Sequence, residues 1–255
     1  MLAKTGHPVP VGSEKMKQTL LAVLACALMS ATAIKADEAR ESFVEANLLG
    51  IFYHEFGHAL IDVLRLPVFG QEEDAADVAS ILLINAFYEE DAAQDLAYDA
   101  AFGFLAEAVV RDDVAYWDLH GPDEQRFYNT VCLFYGANPD EREDFARDLD
   151  LPEYRAQTCP EEFELANDSW GPAFDDIAGQ GRSLRFDDGG YEGLTVDLMA
   201  DEIAALNMDF VLPETVTVRV DLCGQANAFY DPNLIEITMC IEFEDHLRHL
   251  YDVLD

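Results

Sequence analysis

The sequence predicts an α+β fold that is mainly α. Three observations carry this. Apolar residues recur at helical spacing through most of residues 38–136. The period then shifts to two in VTVRVDLC (216–223) and again in LIEITMCIEF (234–243). Half of the 255 residues are apolar, enough to bury a sizeable core in one domain.

The elements follow in order. EARESFVEANLLGIFYHEFGHALIDVLRL (38–66) has no internal proline and reads as one helix. Leu66-Pro67 ends it, because the residue before proline avoids the α region. Gly70 closes a short loop, and a second helix runs from about Gln71 to Glu90. Glu72, Glu73 and Asp74 fall in its first turn, where the helix dipole favours acids. Residues 92–116 form a third helix, and Gly121-Pro122-Asp123 opens a fourth that Gly136 ends. Residues 139–178 read as short helices and loops pinned by Pro139, Pro152, Pro160 and Pro172. AGQGRSLRFDDGGYEG (178–193) reads as a loop or linker, and it lacks the third glycine of a dinucleotide fingerprint. Another helix covers roughly 195–207. His246 and His249 fall on a C-terminal amphipathic helix and read as surface residues.

Between the two alternating runs lies Asp231-Pro232-Asn233, a turn signal. A hairpin over 216–243 that turns between Asp231 and Pro232 places Cys223 directly opposite Cys240, within disulfide reach. Cys132 is then left with Cys159.

Composition narrows the partners. Acidic residues outnumber lysine plus arginine by 51 to 15, a formal charge of −36. Such a chain is repelled by phosphate backbones and anionic lipid heads, so nucleic acid and membrane surfaces are excluded as partners. The acid reads as solubility or adaptation to a salty medium rather than calcium binding, since no calcium-loop pattern occurs. At the N-terminus Lys15 and Lys17 precede the apolar run TLLAVLACALMSATA, and Ala31-Thr32-Ala33 suits signal-peptidase cleavage. Residues 1–33 are therefore expected to be an export signal, with Met16 an alternative start, and 34–255 a single exported, periplasmic or secreted domain that is monomeric. A lipid anchor at Cys26 is the rival reading of the same run. Export makes the remaining even set of cysteines candidates for disulfides.

The chemistry lies in YHEFGHALIDVLRLPVFGQEEDAAD (53–77). His54-Glu55-Phe56-Gly57-His58 is an HExxH motif, and on a helix residues four apart share one face. Two imidazoles can then converge on one zinc ion, Zn2+, with Glu55 placed to act as general base. The bland alternative is a pair of core histidines beside a surface glutamate. A catalytic zinc needs a third protein ligand. The extension that supplies a histidine at position 64 is absent, since 61 and 64 are Ile61 and Leu64. The start of the second helix offers Glu72, Glu73 and Asp74 instead, and Asp77 one turn on.

This pattern is similar to the thermolysin-like peptidases, in which the ligand glutamate is followed four residues later by an aspartate that orients a ligand histidine. The resemblance implies His54, His58 and Glu73 as metal ligands and Asp77 as the orienter, with Glu72 or Asp77 as alternative third ligands. HEFGHALIDVLRLPVFGQEEDAAD, DEQRFYNTVCLFYG with LPEYRAQTCPEEFE, and VDLCGQANAFYDPNLIEITMC together resemble a bacterial family of uncharacterised zinc metallopeptidases. That resemblance implies a zincin-like helical core and a peptide or protein substrate. The family more often carries its NAFYDP hairpin ahead of HExxH, whereas here it comes last.

A transition-state donor is also expected. Tyr230 and Asn227, at one end of the hairpin, are candidates. Arg126 and His120 are others, His120 reading more as a loop histidine. The hairpin could also offer an edge to an extended substrate. The functional expectation is an exported zinc metallopeptidase. Its alternative is a secreted, non-catalytic binding protein with a structural zinc site.

Overall fold

The computed structural model describes residues 13–111 and 113–254, with side chains from residue 35 onward. The expected export signal, Met16 and Cys26 thus lie, wholly or in their side chains, outside the described residues. The chain divides into a unit ending at Arg40 and a unit from Glu41 to Asp255. The second unit carries everything that follows.

Helix α1 (Ser13–Leu64) is the axis of that unit from Glu41 onward. Phe43, Val44, Leu48, Phe52, Tyr53, Phe56 and Leu60 are all buried, and a helix that is apolar on most sides must be enclosed by others. Its neighbours are α2 (Glu72–Phe87), α3 (Glu90–Val110), α8 (Leu194–Asp209) and α9 (Phe243–Leu254). Ser80 of α2 donates its hydroxyl to the Gly50 carbonyl of α1 at 2.8 Å. Asn47 of α1 donates to the Asp99 carbonyl of α3 at 3.0 Å. Tyr53 donates to Glu202 of α8 at 2.6 Å, and Phe43 meets Tyr251 of α9. Helix α4 (Asp123–Ala137) packs on α2 and α3, and α7 (Cys159–Ile177) packs on α4. Two short helices, α5 (Glu143–Asp148) and α6 (Glu153–Ala156), connect them.

The sheet has four strands in the order β1-β2-β4-β3. Strands β1 (Leu184–Asp187), β2 (Val216–Asp221) and β4 (Glu236–Cys240) run parallel, and α8 is the crossover between the first two. Strand β3 (Ala228–Asp231) is an antiparallel edge. The fold is therefore α+β and mainly α. Among the described residues no helix is long and apolar enough to cross a membrane.

Three expectations are corrected. The hairpin does not join the two alternating runs: β2 and β4 are parallel, with Asp221 beside Cys240. Asp231-Pro232-Asn233 does turn the chain, with Asp231 accepting from the Asn233 amide, but it joins β3 to β4. Alternation reports that one face is buried and is silent about strand direction. Residues 178–193 are not wholly loop, because the four residues of β1 pair with β2 there. Residues 159–177 form one helix rather than short pieces. Pro160 sits in its first turn, where the missing N–H costs nothing, and Pro172 is accommodated inside it.

Two disulfides are present. Cys132 of α4 is bonded to Cys159 at the start of α7, and Cys223 to Cys240 at the end of β4. The second does not arise from a hairpin. Strand β2 ends at Asp221 beside Cys240, Cys223 follows two residues on with its Cα 5.5 Å from that of Cys240, and the chain then bends at Gly224, at φ +77.

Candidate metal centre

The site grows from one helical hairpin. After Leu64 the chain reverses through Arg65, at φ 55, and α2 begins at Glu72. Gly57, between the two histidines, lets the helices touch. A Cβ there would lie 3.0 Å from the Ala76 Cα and 3.2 Å from the Ala76 carbonyl oxygen. This close approach brings three side chains to a common point. His54 Nε2 and His58 Nε2 are 3.2 Å apart. Glu73 Oε2 stands 3.2 Å from the first and 3.1 Å from the second.

The far ring nitrogens are engaged. His54 Nδ1 meets Asp77 Oδ1 at 2.7 Å, and His58 Nδ1 meets Glu72 Oε1 at 2.9 Å. With each Nδ1–H donated to a carboxylate, each Nε2 is left as a lone pair. Two lone pairs and a carboxylate oxygen then face one another at hydrogen-bond distance. A single proton relieves at most one of these contacts, and a cation at the centre relieves all three. The donor set therefore fits a metal ion.

The acidic neighbours also favour positive charge at this point, which a proton supplies until a metal displaces it. Burial opposes charging of His54, but Asp77 and Glu73 outweigh it and push its pKa up to about 9. His58 is raised too, with Glu73 and Glu72 outweighing burial. His120, then His54 and His58, hold the Glu73 carboxyl far below the usual carboxylate range. Asp77 also stays low: burial disfavours its charge, and the Arg126 guanidinium more than offsets this. Glu55 is the contrast. It is 7% exposed, burial raises its pKa, and no hydrogen bond from a described residue reaches its carboxylate.

The centre opens into a cleft of about 1060 Å³ whose lining includes His54, Glu55, His58, Glu73, Asn227 and Tyr230. Tyr230 donates its hydroxyl to Asp62 Oδ2 of α1 at 2.7 Å. His120, a candidate donor that read more as a loop histidine, stands 2.9 Å from Glu73 Oε2. His54, Glu73 and His120 also lie close enough to share an ion, with ligand atoms within 4.8 Å of one another. Arg126 grips Asp77 through two hydrogen bonds of 2.8 Å and so sits behind His54. His246 is not a free surface residue, since it pairs with Glu107 of α3 at 2.6 Å. His120 and Arg126 were both among the donors the sequence offered, but their partners Glu73 and Asp77 were not legible, because the chain beyond α3 reaches the hairpin only through tertiary folding.

A family described as "Putative metallopeptidase" (DUF4344) matches residues 19–172 and 193–253. The chain belongs to that family. The matched segments contain the helical hairpin, His120, Arg126 and the β2–β4 region. The family supports a hydrolase acting on peptides or proteins with the help of a metal ion. No curated protein and no solved structure matches the chain significantly.

Proposed function

We propose that this chain is an exported zinc metallopeptidase in which His54, His58 and Glu73 hold the metal and Glu55 is the general base. One observation carries the reading: the mutual spacing of 3.1–3.2 Å among His54 Nε2, His58 Nε2 and Glu73 Oε2. Donor atoms about 2.0 Å from a tetrahedral zinc stand roughly 3.3 Å apart. Glu72 and Asp77 are less suited as third ligand, because both are occupied on the Nδ1 side of the rings. Structural zinc sites are closed, whereas this one faces a large cleft, which favours catalysis over a purely structural role.

Zinc, when bound, supplies Lewis-acid chemistry that polarises the scissile carbonyl and acidifies a water. Glu55 takes the proton of the attacking water and returns it to the leaving amine. Burial raises its pKa, which strengthens it as the base of the first transfer. His120, beside Glu73 at the mouth, is placed to donate to the developing oxyanion. Tyr230 and Asn227 line the same cleft and are further donors, Tyr230 after release from Asp62. Two disulfides suit an exported protein.

Metal analysis and Glu55→Gln test the reading together. Wild type should hold one zinc per chain and cleave an unfolded protein substrate. Glu55→Gln should keep the zinc and lose at least about 100-fold in turnover. A wild type that holds zinc yet cleaves nothing across a broad peptide library would replace the peptidase with the binding protein.

A further inference from the structure

We infer that Arg126 is a positioning residue for the metal centre, acting on His54 through Asp77; the inference rests on the metal reading above. Asp77 Oδ1 is shared between His54 Nδ1, at 2.7 Å, and Arg126 Nη2, at 2.8 Å, while Oδ2 accepts from Arg126 Nε at 2.8 Å. An aspartate held only by an imidazole can swing about its broad terminal torsion. The guanidinium fork removes that freedom, because both carboxylate oxygens are fixed in one plane.

The fork is itself held from other directions. Its carbon lies 4.2 Å from the centre of the Phe104 ring on α3. Buried Asp123 places Oδ1 4.0 Å from Arg126 Nη1, and its other oxygen pairs with Arg111 Nε at 3.2 Å. Arg126 thus arrives oriented by α3 and the start of α4, and passes that orientation to Asp77 and the imidazole. His58 has no such support. Its Nδ1 partner Glu72 is 53% exposed, carries no second partner among the described residues, and competes with water. The two histidines are therefore held unequally, with His54 rigid and His58 compliant.

Lysine keeps the charge of Arg126 and loses the fork. Arg126→Lys should weaken zinc binding by about tenfold or more, measured by competition with a chromophoric chelator. Glu72→Gln should cost less than about threefold. The visible bands of the cobalt-loaded protein should shift in Arg126→Lys, which a role confined to fold stability would not produce. Asp77→Asn supplies the decisive comparison. If Arg126 acts through Asp77, the double variant should bind zinc little more weakly than the weaker single variant. Phe104→Leu, which leaves both ion-pair partners in place, should weaken zinc about threefold and serves if Arg126→Lys does not fold.

Arg126→Lys within twofold of wild type would overturn the inference. So would losses in Arg126→Lys and Asp77→Asn that simply multiply in the double variant. A wild type that takes up no zinc would instead sink the metal reading, and this inference with it.

Discussion

His54 in the metal-free protein has a pKa of about 9, above the ordinary value of 6.5. Its protonation therefore stabilises the fold fully below about pH 6.5, and that contribution is lost as the pH rises toward 9. A metal needs the same lone pair, so binding expels the proton within this window. Zinc affinity of the wild type should climb between pH 6 and pH 9 and flatten above; chelator competition across that range measures it. A flat profile would mean that His54 gives up no proton on binding. Glu73→Gln keeps the shape of the third donor and removes its charge, and should lower zinc affinity by at least about tenfold in the same assay. At this scale the legible residues were those whose relation is local. His54, Glu55 and His58 lie within one turn of helix, and Glu73 and Asp77 are one short reversal away. His120 and Arg126 were candidate donors without legible partners, because the loop beyond α3 and helix α4 meet the hairpin only in the folded chain.

The helical hairpin sets the spacing of the donors through the contact at Gly57. Gly57→Ala places a methyl group 3.0 Å from the Ala76 Cα, and backbone cannot yield as a side-chain tip does. The helices must part, which moves Glu73 away from both rings. Zinc affinity should fall by about tenfold or more while helical content, read by far-UV circular dichroism, changes little. Unchanged affinity would show that α1 and α2 can slide without opening the donor triangle. The strands teach the opposite lesson. Alternation marked 216–223 and 234–243 as strand runs, within which β2 and β4 form, yet their direction depends on what fills the interval, and AFYD there becomes a strand of its own. Likewise, prolines in 139–178 were read as breaks, although one near a helix start is compatible with helix α7.

For the whole molecule, the α+β and mainly α class was readable because long periodic helices dominate the chain. The layering was not, since it depends on which faces of α1 each neighbour takes. The Cys132–Cys159 bridge ties α4, which carries Arg126, to α7 across 27 residues. Replacing both cysteines with alanine should cost about 2–5 kcal/mol in reversible unfolding and leave the donor triangle intact. A stability loss accompanied by equal loss of zinc would mean that the bridge also shapes the centre. The other bridge has a different reach. It fastens the bend after β2 to β4, and the segment running from that bend into the edge strand β3 supplies Asn227 and Tyr230 to the cleft. Added dithiothreitol should accordingly raise amide exchange over 222–231 before the helices respond. One flank of the groove would then be tightened by oxidation, so that newly made chain in a thiol-rich compartment would have a slack rim until it reached surroundings where sulfur pairs.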